Sequence, residues 1–96
     1  MSTPAPNDRR IAIVTGGARG LGLAIAQRLS RDGVHCALWD LDLERAARSA
    51  ASLPGARAYR VDVTDYAAVE AATQAVMQDY GCIDILINSA GANGPI

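Results

Sequence analysis

The apolar run Ile11-Ala12-Ile13-Val14 leads directly into Thr15-Gly16-Gly17-Ala18-Arg19-Gly20-Leu21-Gly22. The run reads as a strand, Ile11 to Thr15. From Leu21 onward, Ala24, Ile25 and Leu29 recur at helical spacing. A strand that feeds a helix through a glycine-rich turn has few architectures open to it. The first amides of such a helix have no partner within it, so the turn is suited to hold a phosphate. Gly16 permits the sharp turn out of the strand. Gly20 removes a Cβ from the path of an approaching ligand, and Gly22 lets helix and strand come close.

The same alternation continues along the chain. Asp32-Gly33 stops the first helix, and Val34 to Trp39 forms a second apolar run without polar alternation, as in a strand covered on both faces. Leu43, Ala46, Ala47, Ala50 and Ala51 share one helical face, with Asp42 as N-cap, and Pro54-Gly55 breaks that pattern. Ala58 to Val61 reads as a third strand. Thr64 and Asp65 offer capping oxygens to a third helix lined by Val69, Ala72, Thr73, Val76 and Tyr80, which Gly81 ends. Ile83 to Ile87 reads as the fourth strand. Four strands alternating with three helices over short connections imply an α/β fold, a parallel sheet with right-handed crossovers in the order 3-2-1-4. Residues 1–10 are polar and Pro-containing and read as a flexible arm.

Composition excludes several classes. A net charge of −1 gives no electrostatic basis for binding nucleic acid or an anionic membrane surface. No apolar run approaches the roughly 18 residues of a membrane span. Arg9-Arg10 precedes only four strongly apolar residues, too few for a secretory or twin-arginine signal, so a cytoplasmic protein is expected. Cys36 and Cys82 lack metal-ligand or redox spacing and read as reduced, packed thiols; no metal is expected. His35, the single histidine, reads as structural, and Trp39 as packing.

Three further features follow the glycine turn. Asp40 ends the second strand, 24 residues after Gly16. An acid there either caps the next helix or accepts hydrogen bonds from the ribose hydroxyls of a dinucleotide. Asp62-Val63 follows the third strand, where a carboxylate and an amide either form a turn or read an adenine edge. Asn88-Ser89-Ala90-Gly91 follows the fourth, with small residues that let the chain pass close to a ligand.

In this order and on these elements, the features resemble the short-chain dehydrogenase/reductase family from about Arg10 to Gly91. The resemblance implies a Rossmann-like three-layer fold, of which residues 11–96 are the N-terminal part of an NAD(P)-binding domain. It places Gly16, Gly20 and Gly22 in the family's glycine motif, with Arg19 and the Leu21 amide near the phosphates. It gives Asp40 the ribose, Asp62 and Val63 the adenine, and Asn88, Ala90 and Gly91 the segment along the cofactor. Thr15 belongs to the same bracing network. Ser89 stands where the family has a second Asn, which implies a bracing contact altered or lost. Arg19 argues for NADP and Asp40 for NAD; a carboxylate repels a 2′-phosphate while Arg19 can still serve the pyrophosphate, so NAD is expected, with NADP as the alternative.

The resemblance further implies hydride transfer between the nicotinamide and an alcohol or carbonyl substrate, and a homo-oligomer when complete. The family's Tyr-x-x-x-Lys and upstream Ser are another matter. Every basic residue here is Arg, and Tyr59, Tyr66 and Tyr80 are followed four positions later by Val63, Glu70 and Asp84. No catalytic residue is assigned, and a non-catalytic dinucleotide-binding or assembly module is the alternative reading. The 96-residue chain is therefore expected to turn over no alcohol with NAD above a Gly16→Val control, a result that a coupled absorbance assay at saturating cofactor checks directly.

Overall fold

The computed structural model describes residues 9–90. Of the predicted arm only Arg9 and Arg10 fall in that range, and Gly91 lies outside the described residues. Seven elements follow one another: β1 Ile11–Thr15, α1 Gly20–Arg31, β2 His35–Asp40, α2 Leu43–Ala51, β3 Arg57–Arg60, α3 Tyr66–Tyr80 and β4 Ile85–Asn88. The four strands are parallel and ordered β3-β2-β1-β4, as the alternation of elements implies.

The strands alternate their side chains between two cores. Ala12, Val14, Cys36 and Leu38 face α1 and α2 through Ala26 and Ala50. Ile11, Ile13, Ala37 and Trp39 face α3 through Ala72 and Val76. Sheet residues thus bury both faces, which is why β1 and β2 read as continuous apolar runs. Leu38 is wholly buried, and its truncation to Ala removes a side chain worth roughly 2–5 kcal/mol in such a site.

The element boundaries differ from the sequence reading for identifiable reasons. The Val34 amide turns to the Leu29 carbonyl at 3.1 Å, so β2 starts one residue later, at His35. It runs on to Asp40, whose carbonyl accepts from Val61 at 3.1 Å. Asp84 ties β4 to β1 at its start: its carboxylate accepts from the Ile11 amide at 2.8 Å, and the regular strand begins only at Ile85. On α2, only Ala46 and Ala50 are buried, whereas Leu43, Ala47 and Ala51 are exposed; a nine-residue helix meets the sheet along a single i, i+4 stripe. Asp42 and Asp65 cap α2 and α3 as expected. Thr64 instead bonds Asp62. Among the described residues no helix is long and apolar enough to cross a membrane.

Tyrosines close the outer edge of the sheet. Tyr59 donates to Asp79 at 2.7 Å, Tyr80 donates to the Gly55 carbonyl at 2.7 Å, and the Arg57 guanidinium lies over the Tyr80 ring. Burial, and for Tyr59 also the bond to Asp79, raises both phenols above their ordinary value of 10, Tyr80 to about 12. Burial likewise pushes Cys36 up to about 11. These groups hold their protons more tightly folded than unfolded. Their stabilisation is therefore complete below the unfolded values and is lost as pH rises through the folded ones. The melting temperature, followed by circular dichroism, is expected to fall between pH 9 and about 12, and to fall less steeply in Tyr80→Phe.

Candidate nucleotide-binding cleft

At the carboxyl ends of the strands, where the chain reverses its direction across the sheet at β1, lies a cleft of about 510 Å³. Its floor and one wall come from the turn between β1 and α1. The amides of Gly16 and Gly17 donate to the Trp39 carbonyl at 2.8 and 3.3 Å, and the Ala18 amide donates to Asp40 Oδ2 at 3.2 Å. Strand β2 thereby takes the first three amides of the turn. The next residues begin α1, whose N-cap Arg19 makes no side-chain capping bond and whose first turn has no acidic residue. The amides at this end are left facing the cleft with their partial positive charge.

Three glycines shape the turn, Gly20 among them with φ +60°. Gly16 has φ +65°, and a Cβ there would stand 3.1 Å from the Ala90 Cα. Gly22 is closer still: a Cβ on it would lie 2.1 Å from the Gly16 carbonyl oxygen and 2.7 Å from Ser89 Oγ. No side chain fits between α1 and the turn.

The charged groups are fixed by short local bonds. Asp40 Oδ1 accepts from the Asp42 amide at 3.0 Å, so both carboxylate oxygens are anchored. Asp62 Oδ1 accepts from the Thr64 hydroxyl at 2.6 Å and its amide at 2.9 Å, and these bonds hold its carboxyl below the ordinary range. The ion pairs among the described residues are Arg28–Asp32 and Arg48–Glu44, both exposed and far from carrying the fold, and neither occupies Arg19.

Most of the residues singled out in the sequence meet in this cleft. Gly16, Arg19, Leu21, Gly22, Asp40, Asp62, Val63 and Ala90 line it. Gly20 sits exposed at the start of α1 and is not part of the lining. Thr15 and Asn88 stand on the other face of the sheet, beside Trp39 and Leu86. There the Thr15 hydroxyl donates toward Asn88 Oδ1 at 3.0 Å and accepts from the Ala90 amide at 3.0 Å. Ser89 braces the same strand end by donating to the Thr15 carbonyl, a contact its short hydroxyl makes where the family pattern has Asn. Leu41, Val61 and Thr64 also line the cleft. Leu41 had one signal in the sequence, a large apolar residue directly after Asp40. Trp39 packs, as expected, yet it borders both the cleft and the opposite face. Its Nε1 is the one buried side-chain nitrogen or oxygen without a partner among the described residues.

The model of the short chain dehydrogenase family matches residues 10–96. The chain belongs to that family. It is 43% identical over 84 residues to galactitol 2-dehydrogenase of Agrobacterium fabrum, covering 86% of this chain and 33% of the relative. It is 46% identical over 88 residues to D-threitol dehydrogenase of Mycolicibacterium smegmatis, covering 88% and 34%. Among solved structures it resembles an NAD+-bound xylitol dehydrogenase, with a TM-score of 0.77 and 37% identity over 80% of this chain and 31% of that one. It also resembles the 3-ketoacyl-(acyl-carrier-protein) reductase of Brucella melitensis complexed with NADH, with a TM-score of 0.77 and 32% identity over 80% and 32%. The chain spans about a third of the length of the curated relatives it matches.

Within this short-chain dehydrogenase frame the Gly22 contact is the tightest in the cleft wall. Gly22→Ala is expected to destabilise the chain by about 1–3 kcal/mol, read as a lower urea midpoint, because the added methyl meets backbone that cannot swing aside.

Proposed function

We propose that this chain binds the adenosine and pyrophosphate side of a nicotinamide dinucleotide, as part of an oxidoreductase that moves a hydride between that cofactor and an alcohol or carbonyl carbon. One observation carries the reading. An uncapped helix N-terminus and a carboxylate anchored at both oxygens face one cleft at the switch point of a parallel sheet. The two ends of a dinucleotide's adenosine half ask for opposite things. Its pyrophosphate wants amides and positive potential, and its ribose diol wants an acceptor.

The residues divide accordingly. Gly16, Leu21 and Gly22, with the Arg19 guanidinium, serve the pyrophosphate, and Gly20, with φ +60°, shapes the turn that presents them. Asp40 accepts from the ribose hydroxyls. Asp62 and Val63 serve the adenine edge, and Ala90 and Gly91 leave room for the cofactor to pass. Thr15 and Asn88 act from behind by holding the strand ends in register. When bound, the nicotinamide supplies the redox chemistry, and the protein supplies binding and orientation. The lysine-free sequence holds no Tyr-x-x-x-Lys, so these 96 residues are proposed to bind without turning over substrate. We assign residues 11–96 to an NAD(P)-binding domain of a cytoplasmic enzyme.

Asp40 decides between the two cofactors in this proposal. Fixed by Ala18 and Asp42, it cannot turn away from a 2′-phosphate without breaking two hydrogen bonds. NAD is therefore the preferred cofactor. The names of two structural neighbours, bound to NAD+ and NADH, support the same choice. Trp39 is the single tryptophan and lines the cleft, so its fluorescence reports titration with NADH and NADPH. NADH is expected to bind more tightly, and Asp40→Ala to cut that preference by roughly tenfold or more, the worth of a charged hydrogen-bonding partner. Equal affinity of the unaltered chain for both cofactors would overturn the assignment.

A further inference from the structure

Helix α2 reaches the glycine turn through one side chain that no motif marks. Ser49 Oγ donates to the Ala18 carbonyl at 2.9 Å. The amide of the same Ala18 donates to Asp40 Oδ2 at 3.2 Å. Ala18 is 2% exposed, so water offers little replacement for either bond. Asp40 Oδ1 in turn accepts from the amide of Asp42, the residue that caps α2. The four residues close a ring: Ser49 to Ala18, Ala18 to Asp40, Asp40 to Asp42, and Asp42 back into the helix that carries Ser49. Arg19, the other charged group of this wall, is the next residue after Ala18.

We propose that Ser49 is a positioning residue for cofactor discrimination, its hydroxyl holding Ala18 so that the Asp40 carboxylate stays fixed against a 2′-phosphate. The proposal rests on the NAD preference inferred above. Without the hydroxyl the buried Ala18 carbonyl has no partner, and the residue relaxes by turning toward one. That movement weakens its amide bond to Asp40 and frees the carboxylate to swing. It also shifts Arg19, the group able to meet a 2′-phosphate. A general loss of stability weakens both cofactors alike. Loss of the ring changes their ratio.

The test measures the dissociation constants of NADH and NADPH for the full 96-residue chain by Trp39 fluorescence, in the unaltered protein, Ser49→Ala, Ser49→Thr, Asp40→Ala and the Ser49→Ala/Asp40→Ala pair. The NADPH-to-NADH ratio is expected to fall roughly 2- to 10-fold in Ser49→Ala, the range one hydrogen bond commands. It returns in Ser49→Thr, which keeps the hydroxyl, and the double variant matches Asp40→Ala alone. If Ser49→Ala lacks native circular dichroism, Ser49→Cys takes its place with the same expected fall. An unchanged ratio in the serine variant, while Asp40→Ala abolishes the preference, overturns the role of Ser49 and leaves the NAD reading standing. Absence of any NADH preference in the unaltered chain overturns both.

Discussion

The turn between β1 and α1 keeps its shape because strand β2 takes its first three amides. Gly16 and Gly17 share the Trp39 carbonyl, and Ala18 binds the Asp40 carboxylate. These bonds tie the turn to the strand beside it rather than to the helix it opens. The helix start is consequently left with its amides unsatisfied and facing a cleft. Were those amides satisfied locally, the same residues would make an ordinary strand-to-helix connection.

The arrangement separates two electrostatic tasks by a few residues of chain. Positive potential gathers at the start of α1 and on Arg19, while negative charge sits at the end of β2 on Asp40. Anchoring matters more than charge alone. A mobile carboxylate beside a mobile guanidinium would neutralise it. Asp40 instead accepts from the Ala18 and Asp42 amides, which hold it on its own side. Ser49 ties α2 to the same turn through the Ala18 carbonyl.

Much of this was legible in the sequence because parallel strands and glycine turns leave local signatures. The apolar runs at Ile11 and Val34, the helical stripe of α3 and the glycine at Gly81 all correspond to elements the structure contains. The less legible parts depended on partners remote in sequence. Strand β4 begins at Ile85 because Asp84 binds Ile11, 73 residues away. The α2 face is narrower than its alanines suggest because a short helix touches the sheet along one stripe only. Thr64 looked like a cap and bonds Asp62, since Asp65 already caps α3.

By itself, the sequence determined the order of elements, the parallel sheet and the residue types at each strand end. Periodicity and glycine placement are local properties, and the short connections allow one topology. Tertiary structure alone decided which of those residues share a cleft. Thr15 and Asn88 have the composition of site residues, but strand pleating turns them to the opposite face, where they brace rather than line. Ser49 has the composition of any helix residue, but packing of α2 sets its hydroxyl against Ala18. Side-chain direction depends on register and on the docking of separate elements, and neither is written in a local stretch of chain.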